Sequence, residues 1–263
     1  IPGTVTESRG TRVDMHVKIL DESVVERAKS RGIDVLVYAP HFTRLPTIQQ
    51  RAEQFSDDEL TVVPAREIFA GPWHDRRHVL AVDLSKPIPD FITLEGAMQE
   101  LDRQQATVLV PHPEFLTVSL DRAQIDRYSD VIDGVEAYNP KHLSWHNRRA
   151  SEITRKSDRP AFTSSYAHLL TTVGEAWTTF DRPINAPEDL TAALRSGNPQ
   201  LRHRTGATHR VRCLAEFAHL GWENTWEKFD RVVRSGMEPT HPGHVAYGGR
   251  FDDVRVDRHG VLG

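Results

Sequence analysis

Short apolar runs punctuate the chain at residues 13–19, 34–38, 60–63, 79–82, 107–110, 131–137 and 160–163. Most have the nearly continuous Val, Ile and Leu content of strands covered on both faces. Between them lie amphipathic stretches with helical spacing. Ser23 and Glu26 have the spacing of a capping box, which opens a helix through Val24, Val25 and Ala28 and places Gly32 at the left-handed C′ position. Residues 46–55, 93–104, 143–156 and 187–196 supply further helices. Strand-helix repetition of this kind predicts an α/β fold with a parallel sheet, either open or closed into a barrel.

After residue 200 the character changes. Residues 201–212, LRHRTGATHRVR, form a basic segment that contains a glycine. Helices are expected over 211–219 and 225–233, followed by a Gly/Pro-rich tail. Trp222 and Trp226 are the expected packing residues, since large aromatics at helical spacing usually face a core. The chain thus divides into a barrel over 1–200 and a mainly helical C-terminal extension over 201–263 packed on it.

Composition narrows the functional classes. The 263 residues can build one large α/β domain. No apolar run approaches the roughly 20 residues of a membrane span, and the first residues lack the basic-then-apolar pattern of a secretory signal. A cytoplasmic location is the resulting expectation, and the absence of an initiator Met suggests a processed or trimmed N-terminus. The formal charge of -4 gives no global attraction to nucleic acid. Cys213 is the single cysteine, so any metal must be held by histidine and carboxylate.

Histidines carry the candidate chemistry. His16, His41, His78, His112 and His168 each fall at or beside the end of an expected strand, and Glu67 follows another. In a barrel of parallel strands such ends converge on one face. Imidazole and carboxylate together suit Zn, Mn or Fe. His142 and His146 have the i, i+4 spacing of a helix-face chelate, but their sequence reads as an exposed helix start. His74 falls in a loop expected near the barrel mouth. His203, His209, His219, His241, His244 and His259 lie in the extension and are expected at the surface.

The order of motifs resembles the PHP (polymerase and histidinol phosphatase) domain family. VDMHVK stands for the family's Asp-x-His-x-His opening, and GIDVLVYAPH supplies Gly32, Asp34 and His41. PARE places Glu67, HVLAVDL places His78 and VPHPE places His112. DGVEAYN covers Glu136, Tyr138 and Asn139, and SSYAH places His168. The resemblance covers about residues 12–200. It implies a distorted (β/α)7 barrel and a metal-dependent phosphoesterase that works through a metal-activated water.

The family's metals occupy up to three adjacent positions, and this sequence departs at the first. Lys18 stands for the second His of the opening motif, Tyr166 for the Asp of the closing motif, and Pro40 for the Asp before His41. The resemblance gives the second position to Glu67, His78 and His112, and the third to His41, His168 and Asp21. Two divalent metals, Zn, Mn or Fe, are therefore expected. Lys18, with His16 and Tyr166, is the candidate replacement for the first metal, and His16 is either a ligand or a general acid. Arg44 and Arg66 are candidate phosphoryl clamps.

The expected substrate is a phosphorylated small molecule or a nucleotide. Two readings from other classes stand beside this one. Arg202, Arg204, Arg210 and Arg212 in the basic segment would suit RNA phosphates on a barrel without catalysis. Alternatively, a degenerate barrel would bind a phosphorylated ligand as a sensor.

Overall fold

A computed structural model describes residues 10–115, 118–196, 198–222 and 239–256. The chain runs β1 (Thr11–Val17), α1 (Glu22–Ser30), β2 (Val35–Tyr38), α2 (Leu45–Phe55), β3 (Thr61–Ala70), β4 (Arg77–Val82), α3 (Leu94–Gln104), β5 (Thr107–Val110), α4 (Arg122–Arg127), β6 (Gly134–Tyr138), α5 (Ser144–Ser157), β7 (Ala161–Thr163), β8 (Ala176–Phe180), α6 (Pro187–Ser196), β9 (Gln200–His203) and α7 (Ala207–Trp222). All strands join one nine-stranded sheet in the order β7-β6-β5-β4-β3-β2-β1-β8-β9. A parallel bridge between Val17 and Ala167 draws the segment after β7 against the end of β1. The result is a nearly closed barrel.

All seven expected strands are present as β1 to β7, but the sheet is mixed and not simply parallel. β3 and β4 pair antiparallel, as do β4 and β5, β1 and β8, and β8 and β9. The first of these follows from loop length. A parallel return needs a crossover of roughly a dozen residues or more, whereas β3 and β4 are joined by the short stretch GPWHDR, entered through Gly71 at φ +93°. β3 also runs to Ala70, well past the expected end at Val63, and so carries Glu67 inside the sheet.

Alternation sorts the side chains into layers. Val13, Met15, Val35, Val37, Val63, Ala65, Leu80 and Val82 form the barrel interior. Ile68, Val79 and Ala81 instead join the cluster built against the outer helices, which includes Met98, Leu101 and Ile125. Burying these apolar faces is the main stabilising term, at about 25 cal/mol per Å² removed from water.

Helix α1 starts differently from its expected capping box. Asp21 is the N-cap, its Oδ1 accepting from Val24 N at 2.9 Å, so Ser23 lies inside the helix. Gly32 ends it at φ +68°, donating to Lys29 O.

In the extension, β9 pairs with β8 and α7 packs against the short 3-10 turn Leu170–Thr172 that follows β7. Tail residues Tyr247 and Phe251 enter the helix-facing core, and Val256 N donates to Phe91 O. The helix expected over 225–233 and residue Trp226 lie outside the described residues, as does the side chain of Trp222.

Candidate metal centre

Period-two alternation places Glu67 on the same face of β3 as Val63 and Ala65, and His78 on the same face of β4 as Leu80 and Val82. Both therefore point into the barrel near its end. His78 lies opposite Phe69 in the antiparallel register, and their rings stack at 4.1 Å with planes 8° apart. His16 sits where the β1–β2 register shifts between Asp14 and Val17, an irregularity that re-aims a side chain. His112 follows β5, and Tyr166 and His168 follow β7. His112 and Tyr166 hold left-handed backbones at φ +35° and +50°, a strain that other contacts must sustain. Glu136 supplies part of that restraint, accepting from His112 N and from Ser164 Oγ, each at 2.7 Å.

Glu67 is the hub. Its Oε1 lies 3.2 Å from His78 Nδ1, 3.4 Å from His112 Nε2 and 3.8 Å from His16 Nε2. Its Oε2 lies 2.5 Å from Lys18 Nζ and 3.1 Å from His41 Nδ1. Lys18 Nζ also donates to Ala39 O at 2.7 Å. Burial alone would raise the Glu67 carboxyl, but the Lys18 ammonium, with His78 and His16, outweighs it and holds the group well below the usual carboxylate range. Burial, reinforced by Lys18, pushes His16 well below its ordinary value, so its imidazole is neutral.

The residues fit a divalent metal at the second expected position. Glu67, His78 and His112 offer buried ligand atoms all within 4.8 Å of one another. Among the described residues neither ring nitrogen of fully buried His16 has a hydrogen bond, as expected of a neutral imidazole beside a cation site. Ser119 Oγ lies 2.7 Å from His112 Nδ1 and fixes that ring, which leaves Nε2 toward Glu67.

The other expected residues divide. His41 and His168 face each other, Nε2 to Nε2, at 3.4 Å. Asp21 is exposed and serves as the α1 cap, with no contact to that pair among the described residues. The Tyr166 ring lies between the histidines, 4.8 Å from His16, 5.2 Å from His112 and 4.7 Å from His168. Of the two arginines expected near phosphoryl oxygens, Arg66 is buried in a pair with Asp90 at 2.9 Å, away from the centre. Arg44 precedes α2 as its N-cap.

Three features near the centre escape sequence reasoning. Arg76, in the loop between β3 and β4, lies over the Trp73 ring at 4.4 Å and the Phe69 ring at 5.9 Å. Burial lowers its pKa, and Tyr166 and Glu67 act in the opposite sense. Lys141 is buried with its Nζ 4.7 Å from the Tyr166 ring centroid. Glu216, from α7, binds Lys141 Nζ at 2.5 Å and accepts from His168 N and Thr172 Oγ1. Burial would raise Glu216, but Lys141 and the His168 contacts leave it below the ordinary value.

The expected surface histidines and arginines also sort by contact. His209 is buried against Glu175, at 2.5 Å. Arg212 pairs with Glu175 at 3.0 Å, and Arg204 donates to the carbonyls of Gly174 and Arg31. Arg202 and Arg210 are exposed. His142 is stacked on Phe115 at 4.0 Å, and burial holds it neutral.

Comparison with known proteins fits this architecture. A family model described as PHP-associated matches residues 144–199. A search of curated proteins finds no match. Among solved structures, PsfC from Pseudomonas syringae is similar at a TM-score of 0.59 and 17% identity, covering 82% of this chain and 99% of that one. Endonuclease Q, in complex with a 27-mer duplex bearing an abasic lesion, is similar at a TM-score of 0.52 and 15% identity, covering 72% of this chain and 58% of that one. These likenesses support a PHP-type barrel fold for the chain. No described helix is long and apolar enough to cross a membrane.

Proposed function

We propose that the protein is a metal-dependent phosphoesterase in which Lys18 replaces one metal of the family's set. The observation that carries this reading is the division of labour at Glu67, whose Oε1 faces the imidazoles of His78, His112 and His16 while Oε2 holds Lys18. A divalent metal held by Glu67, His78 and His112 would supply Lewis acidity to a phosphoryl oxygen and acidify water near neutral pH. Neutral His16 suits a further ligand better than a proton donor. His41 and His168 form a second pair of candidate ligands, lacking the carboxylate that Asp21 was expected to bring.

The chain's own groups then bind and orient the ester. The Lys18 ammonium places fixed positive charge where the barrel would otherwise hold a metal, and Arg76, in the β3–β4 loop, adds a second cation that interacts electrostatically with Glu67 and Tyr166. Such preorganised cations favour the charge that develops on phosphoryl oxygens as the P–O bond to the leaving group breaks. The likeness to endonuclease Q in its duplex complex is in keeping with a phosphoester substrate.

The test pairs elemental mass spectrometry with hydrolysis of p-nitrophenyl phosphate and bis(p-nitrophenyl) phosphate. Wild type should carry about one or more equivalents of Mn, Fe or Zn, and Glu67→Gln and His112→Ala should lose both metal and turnover, by about 100-fold or more. Near-wild-type hydrolysis in either variant would overturn the assignment.

A further inference from the structure

A pocket of about 390 Å³ opens between the start of α5 and the start of α7, and the motifs of the metal centre do not account for it. Its lining includes Lys141, His142, His203, Arg204, His209 and Arg210, and no acidic side chain among the described residues. The volume is within the range of small-molecule sites. Lys141 is offset by Glu216 and His209 by Glu175, which leaves Arg204 and Arg210 without a carboxylate partner among the described residues. Arg204 spends its donors on carbonyls, so Arg210 is the cation most available to a ligand.

Two helix starts reinforce that charge. Helix α5, of 14 residues, has Leu143 at its N-cap and no side-chain capping bond. Helix α7, of 16 residues, follows Gly206, which has no side chain to cap it and sits at φ +102°. The first-turn amides of both helices thus lack intrahelical acceptors at the rim of one cavity. His203 stacks on Tyr138 at 4.4 Å and fixes one wall.

The pocket also shares a wall with the metal centre. His142 lines it and lies 6.3 Å, ring to ring, from His112. Lys141 lines it and reaches the Tyr166 ring.

We propose that this pocket is a second anion subsite, which takes a phosphate-class group beside the metal centre. Its anion preference follows from its own lining, and only its link to the centre rests on the phosphoester reading. Two sources share this chemistry, a second phosphate on the substrate and free inorganic phosphate.

Calorimetric titration of the manganese-loaded protein with inorganic phosphate tests the subsite. Two binding events are expected, one abolished by chelating the metal and the other weakened about tenfold or more by Arg210→Glu. Arg210 is exposed, so circular dichroism should show the variant folded. Absence of binding to the chelated protein, or unchanged affinity in Arg210→Glu, overturns the subsite. Chelator-resistant phosphate binding without any ester hydrolysis would instead overturn the phosphoester reading and leave the subsite standing. An alkyl bisphosphate that binds manganese-loaded protein at least tenfold more tightly than phosphate, and loses that margin in Arg210→Glu, identifies the second phosphate of a substrate. Equal affinity identifies free phosphate.

Discussion

Lys18 Nζ and Glu67 Oε2 lie 2.5 Å apart with both side chains buried. In the proposed reading the ammonium stands in for a cation without coordinating. Removing one partner of a buried pair leaves an uncompensated charge and costs about 3–5 kcal/mol. Lys18→Met should lose that much stability in metal-free protein. Added Zn or Mn should recover a large part, because a metal can neutralise the freed oxygen. Urea denaturation with and without metal measures this, and equal losses in both would show that no cation replaces the ammonium.

Placing PHP-type ligands at residues 18 and 166 is the converse experiment. Lys18→His with Tyr166→Asp puts an imidazole and a carboxylate beside Glu67 and the His16 ring, whose nitrogens have no hydrogen bond among the described residues. The double variant should bind about one more equivalent of metal than wild type by elemental mass spectrometry. No gain would mean that residues 18 and 166 do not border a convertible metal position.

The strands and most of the Glu67 cluster are legible in the sequence because they depend on local pattern. Short apolar runs mark β1 to β7, and the motif order brings Glu67, His78 and His112 to one place. Glu216 is not legible, since its partner Lys141 is 75 residues away and α7 presents a buried polar face of His209, Cys213 and Glu216. Helical periodicity alone would turn that face toward solvent. Asp21 shows the opposite difficulty, because a carboxylate ahead of a helix serves equally as a ligand or a cap, and here the Val24 amide takes it.

The Lys141–Glu216 pair ties the extension to the loop that carries His168. A double-mutant cycle with Lys141→Met and Glu216→Gln should give a coupling energy of about 2 kcal/mol or more, since either single change leaves a buried charge unpaired. Glu216→Gln should also weaken whatever His168 does, as its backbone amide loses a charged acceptor. Additive single changes in chemical denaturation would show that the pair holds nothing in place.

Cys213 stands beside His209 in the anion pocket, yet it is not an activated nucleophile. Burial, with Glu175 and Glu216 adding to it, pushes the thiol up to about 11. At pH 8 only about one molecule in a thousand carries the thiolate that reacts with alkylating agents. Iodoacetamide should therefore modify native Cys213 far more slowly than denatured protein, with a rate that rises about tenfold per pH unit between 8 and 10. Rapid native alkylation at pH 8, followed by mass spectrometry, would contradict this placement.

Arg76 offers the clearest separation of binding from metal retention. Its guanidinium rests on Trp73 and donates to the Trp73 carbonyl at 2.6 Å, while its Nε is buried without a hydrogen bond among the described residues. It contacts none of Glu67, His78 or His112 among the described residues, so its loss should leave the metal in place. If it offsets charge on the ester, Arg76→Ala should lower kcat/KM for phosphoester hydrolysis by about 10- to 100-fold at unchanged metal content, and Arg76→Lys should restore part of the loss. Unchanged kcat/KM in Arg76→Ala would assign the side chain to packing the β3–β4 loop, because stacking on Trp73 serves that role without any substrate present.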